Sequence, residues 1–136
     1  MKSKYFKIFE LVPLHIYKKY GDKAFMFLDD RLLKSIDTLK ETFNYGTITI
    51  NNYYWGGDRN WSGLRTPESP YYSPTSQHSF GRAVDCIFNE YDVEEVRRFI
   101  IDNPDKFPYI KGIELDVSWL HIDVRNSDEV ILFGKG

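Results

Sequence analysis

The stretch WLHIDVR, residues 119–125, alternates between two kinds of side chain. Leu120, Ile122 and Val124 form one apolar row, while Trp119, His121, Asp123 and Arg125 form the other. Such alternation is the period of a β-strand, whose successive side chains point to opposite faces. The apolar row suits packing against helices. The second row sets an aromatic, an imidazole, a carboxylate and a guanidinium side by side, which suits the wall of a cleft. One buried face and one chemically dense face predict a sheet covered by helices on one side only.

The flanking segments extend this reading. KGIELDVS, residues 111–118, reads as a partner strand and a tight turn near Asp116–Ser118. GRAVDCIF, residues 81–88, reads as a further strand. DVEEVRRFII, residues 92–101, reads as a helix, with Asp92 as N-cap and Glu95 at the third helical position. Earlier, apolar residues recur at Phe25, Leu28, Leu32, Leu33, Ile36, Leu39 and Phe43. That spacing predicts one amphipathic helix over 24–43. Tyr45–Gly46 ends it, and TITI, residues 47–50, reads as a short strand. The expectation is a single α+β domain over 1–136, with helices on a small, largely antiparallel sheet.

Composition narrows the function classes. With 136 residues, 42% hydrophobic and 28% charged, the chain supports one soluble domain with a real core. A formal net charge of −2 gives no electrostatic reason to expect nucleic acid as a partner. No apolar run reaches the roughly 18 residues of a membrane span, so no membrane partner is expected. The N-terminal segment, broken by Lys7, Glu10 and Pro13, makes a poor signal peptide. The single cysteine, Cys86, excludes an intramolecular disulfide. Synthesis in the cytoplasm is expected, with any action at a cell wall following release or delivery.

Aromatic residues make up 17% of the chain, and many fall in the long polar segment 51–77. Loops of that length are usually functional or disordered. Tyr53, Tyr54, Trp55 and Trp61 either line a groove or cover the sheet edge.

Within SQHSFGRAVDC, residues 76–86, His78 precedes Asp85 by seven positions. Seven residues of straight strand span about 23 Å, whereas two ligands of one zinc ion need donor atoms within about 3–4 Å. A shared metal therefore requires the chain to fold back between them, and Gly81 supplies the freedom for that bend. Asp85 then enters a strand beside Ala83, leaving Val84, Cys86 and Phe88 for the buried face. His121 on a neighbouring strand completes a set of two histidines and one carboxylate, with a fourth position left for water, as in catalytic zinc sites. The plainer alternative is a turn running into a strand, with Asp123 and Arg125 as a surface ion pair worth little.

Three segments together resemble a known family. SQHSFGRAVD matches the Ser-x-His-x-x-Gly-x-Ala-x-Asp signature of the zinc D-Ala-D-Ala peptidases, a superfamily that includes lysostaphin-type endopeptidases and the hedgehog signalling domain. WSGLRTPES, residues 61–69, resembles the Ser-Gly-(Tyr/Leu)-Arg element upstream of that histidine, and WLHIDVR resembles the F-V-H-V-D-V-R ending of a phage-associated branch. The motifs occur in the family's order and the likeness spans about residues 24–126.

The resemblance implies one Zn2+ per chain held by His78, Asp85 and His121. It implies that Arg65 grips a substrate carboxylate or carbonyl oxygen, using its planar fork of donors. Ser76 would orient the histidine loop or touch substrate, with Trp55, Trp61 and Trp119 as further substrate contacts. The implied reaction is hydrolysis of a bond in the peptidoglycan stem peptide, as D,D-carboxypeptidase or endopeptidase, in the setting of a phage lysin or virion-associated wall enzyme. The chain departs from the family at Ser118, where better-known members carry the general-base glutamate three residues before the last histidine. Glu114, Asp123 and Asp116 are the replacements within reach, Glu114 first and Asp123 second. That departure also leaves open a non-catalytic module that keeps the fold and uses its surface for assembly or binding.

Overall fold

A computed structural model describes residues 1–134. Three α-helices, α1 (Leu14–Tyr20), α2 (Asp30–Thr42) and α3 (Val93–Asp102), accompany five strands. These are β1 (Ile48–Thr49), β2 (Ala83–Phe88), β3 (Gly112–Glu114), β4 (Leu120–Asp123) and β5 (Ile131–Phe133), in the sheet order β1-β2-β4-β3-β5. All neighbouring strands run antiparallel except β3 and β5, which are parallel. The architecture is α+β, as the alternation in WLHIDVR predicts.

The single helix expected over 24–43 is divided. Residues Gly21–Phe27 form a 3-10 segment, and α2 begins only after Asp29. Asp29 is extended, its carboxylate accepts the Arg31 amide at 2.9 Å, and its own amide donates to the Gly81 carbonyl at 2.9 Å. A cap thus interrupts the helix while Phe25 and Leu28 stay buried on both sides of the break. The apolar spacing runs through a boundary that periodicity alone does not reveal. At α3 the cap is where the sequence places it, with the Asp92 carboxylate accepting the Glu95 amide at 3.3 Å. Strand β5 was not expected, because three residues give no readable period.

Val84, Cys86, Ile113, Leu120, Ile122 and Val124 form one side of a continuous core. Leu32, Leu33, Ile36 and Leu39 of α2, with Val96 and Ile100 of α3, form the other. Each such Val, Leu or Ile side chain contributes about 1.5–3 kcal/mol on full burial. Burial pushes the Cys86 thiol up, so this residue is an inert part of the core.

The other face of the sheet positions the chemistry. Register pairs Asp85 with His121 and Ala83 with Asp123 between β2 and β4, and Gly112 with Asp123 between β3 and β4. Asp123 therefore lies between two small residues. A methyl group at Gly112 would collide with its carboxylate, so the missing side chain is what makes room for it. Ahead of β2, Gly81 adopts φ +68° and packs against the Phe27 carbonyl oxygen. Only glycine takes that left-handed, closely approached position at low cost. Among the described residues no helix is long and apolar enough to cross a membrane.

Candidate metal centre

Three elements converge on one buried cluster. His78 lies in a 3-10 turn (Gln77–Phe80), Asp85 in the middle of β2 and His121 on β4. The turn and the bend at Gly81 fold the chain back, so one ligand atom from each residue lies within 4.8 Å of the other two. The His78 Nε2 is 3.3 Å and the His121 Nδ1 2.9 Å from the same Asp85 oxygen, Oδ1. The residues retain only 3%, 8% and 7% exposure respectively.

The outer hydrogen bonds assign the ring nitrogens. His78 Nδ1 is 2.8 Å from the Gly63 carbonyl, which can only accept, so Nδ1 donates outward and Nε2 is the nitrogen that faces the cluster. His121 Nε2 is 2.8 Å from Asp123 Oδ2, which leaves Nδ1 facing inward. Asp123 is fixed in turn by Arg125, whose Nε donates to Oδ1 and Nη2 to Oδ2, both at 2.7 Å. The Asp85 Oδ2 accepts from Arg65 Nη2 at 3.0 Å, which frees Oδ1 for the cluster. Each of the three side chains is held from behind, as ligands of metal sites generally are.

Backbone contacts set the same geometry. The Ser62 carbonyl accepts the Asp85 amide at 2.8 Å, and the His78 carbonyl accepts the Arg65 amide at 3.1 Å. Ser76 caps the histidine turn by accepting the His78 amide at 3.2 Å. Two imidazole nitrogens and one carboxylate oxygen are a donor set that could hold a metal ion.

Burial disfavours charge on both Asp85 and His121, but their mutual hydrogen bonds outweigh it. Burial would raise the Asp85 carboxyl; hydrogen bonds from His121 and His78 hold it well below the usual carboxylate range. Burial would lower the His121 pKa; hydrogen bonds to Asp123 and Asp85 raise it to about 9. In the metal-free chain His121 therefore carries a proton on each nitrogen at neutral pH. The raised pKa stabilises the metal-free fold fully below pH 6.5, and that contribution is lost as pH rises through about 9. A metal must displace the Nδ1 proton. Zinc uptake at pH 7.5 is expected to release about one proton from His121, and affinity is expected to rise about tenfold per pH unit up to about 9. Titration calorimetry in buffers of different ionisation enthalpy measures this; a buffer-independent heat contradicts it.

The cluster forms the floor of a cavity of about 660 Å³. Arg65, Ser76, Trp61 and Trp119 line it together with the three ligands, and so does Glu114. Arg65 donates through Nε to the Trp61 carbonyl at 2.7 Å and through Nη2 to Asp85, so among the described residues Nη1 has no protein partner. Tyr71, under the Arg65 guanidinium at 5.8 Å, and the segment 58–60 line the cavity without having been singled out.

Two expected residues are not brought to the cavity. Trp55 packs edge-on against Phe9 at 5.4 Å and Tyr54 at 5.9 Å, because the short turn Tyr53–Trp55 and left-handed Gly56 direct it to the N-terminal segment. Asp123 is fully buried behind His121 with both oxygens engaged, and it does not line the cavity. Of the remaining positions, Ser118 is exposed and Asp116 occupies the turn at φ +62°.

Comparison with family models, with curated proteins and with solved structures gives no match. Fold and site together define an α+β protein with a buried His-Asp-His triad that could hold a metal ion.

Proposed function

We propose that the chain is a zinc metallopeptidase of the D-Ala-D-Ala peptidase type, cutting peptide bonds in bacterial peptidoglycan. The observation that carries the reading is the cavity floor: two inward-facing imidazole nitrogens and one carboxylate oxygen, with Glu114 and Arg65 on the walls. Bound there, zinc would supply Lewis acidity toward a peptide carbonyl oxygen. Glu114 takes the proton of the attacking water and returns it to the leaving amine nitrogen as the C–N bond breaks. Arg65 Nη1 binds a carbonyl oxygen or a terminal carboxylate of the stem peptide, while Asp123 orients His121. Trp61, Tyr71 and Trp119 supply the apolar walls. The setting of a phage lysin rests on the likeness of WLHIDVR alone.

Metal content tests the reading first. The purified protein is expected to bind about one zinc ion per chain, and His121→Ala is expected to weaken binding by more than the 10–100-fold typical of an outer partner. Digestion of muropeptides then identifies the bond. A folded chain that takes up no zinc when it is supplied rules the peptidase out.

A further inference from the structure

The segment after residue 126 lies outside the family likeness, yet β5 reaches the metal centre. Its backbone joins β3 through the Ile131 amide to the Lys111 carbonyl at 2.8 Å and the Leu115 amide to the Phe133 carbonyl at 2.6 Å. The parallel register sets Phe133 beside Glu114. The Phe133 ring meets the His121 ring edge-on at 5.5 Å, and the Arg125 guanidinium lies 4.8 Å from its centroid. Ile131 and Leu132 on the same strand are exposed, so Phe133 is the residue through which β5 joins the interior.

These contacts form a closed circuit. His121 bonds Asp123, Asp123 is clamped by Arg125, Arg125 sits over Phe133, and Phe133 returns to the edge of His121. Without the ring, His121 keeps its hydrogen bonds to Asp123 and Asp85 but loses the packing against its side, and once a metal displaces the Nδ1 proton only the Nε2 tether is left to set its tilt. We infer that β5 completes the metal centre, with Phe133 as a positioning residue that fixes His121 and Arg125 from the side opposite the other ligands. The inference rests on the metal-centre reading above but not on any hydrolytic activity.

The test uses cobalt(II) as a spectroscopic probe and zinc affinity measured by competition with a chromophoric chelator. Phe133→Leu keeps an apolar residue on the strand but removes the ring, and Phe133→Tyr keeps the ring. The leucine variant is expected to bind zinc about tenfold more weakly, at the lower end of outer-partner effects, and to show an altered cobalt visible spectrum. The tyrosine variant is expected to match the parent in both. The thermal midpoint of each metal-free variant separates positioning from lost stability. Equal zinc affinity and equal cobalt spectra for the leucine variant and the parent overturn the inference while leaving the metal centre intact. So does a weakening that tyrosine does not rescue. No cobalt or zinc binding by the parent chain overturns the metal centre itself, and this inference with it.

Discussion

Glu114→Gln is expected to slow muropeptide hydrolysis by about 10²–10⁴-fold, the usual weight of a general base, while about one zinc ion per chain stays bound. Three placements lead to Glu114. It stands at the end of β3, with its side chain in the cavity that the triad floors. Asp123, the other carboxylate within reach on this sheet face, is committed to His121 and Arg125 and cannot turn into the cavity without breaking both. Ser118, at the position of the family's glutamate, is exposed on the β3–β4 turn and has no basic group to offer. Glutamine preserves the shape and hydrogen bonding of residue 114 but cannot take a proton. Full activity in Glu114→Gln would reject this residue as the base. Loss of both activity and zinc would instead show that it helps to hold the metal.

Much of the site was legible because strand alternation is strict. In WLHIDVR it separates the core row from the row holding His121 and Asp123, and in GRAVDCIF it places Asp85 opposite Val84 and Cys86. The need for a fold-back between His78 and Asp85 follows from strand length, and Gly81 with its positive φ provides it. Register was not legible. That Gly112 and Ala83 flank Asp123, the second candidate for the base, depends on how separate strands align, and this is what seats its carboxylate against His121 and Arg125.

The backbone partners were equally silent, since the Gly63 carbonyl that holds His78 Nδ1 leaves no trace in side-chain pattern. Strand β5 pairs with β3 from a distance in sequence, and three apolar residues carry too little pattern to announce it. Arg97 is different. It follows Val93 by four residues and precedes Ile100 by three, so helical periodicity already places it within the apolar stripe of α3.

That arginine carries the second large expected effect. Arg97 has 0% exposure, and its Nη2 donates to the carbonyls of Val117 at 2.9 Å and Trp119 at 2.7 Å. Its Nη1 pairs with Glu94, whose side chain is largely exposed. The guanidinium thus fastens α3 to the turn between β3 and β4, directly ahead of His121. Arg97→Met retains most of the buried stem volume, so a cavity is not the main consequence. It leaves two carbonyls unpartnered, at about 1–3 kcal/mol each, offset in part by no longer burying a charge. The expected net destabilisation is about 2–4 kcal/mol, a fall of roughly 10 °C in the thermal midpoint for a domain of this size. Glu94→Gln, which changes only the exposed partner, is expected to cost about 1 kcal/mol or less.

Denaturant unfolding of the metal-free variants measures both. An unchanged midpoint in Arg97→Met would mean that the β3–β4 ladder alone holds the turn. The expected loss would mean that the wall formed by Trp119 depends on a helix on the far face of the sheet, and that substrate binding should weaken in Arg97→Met even under conditions where it remains folded and zinc-loaded.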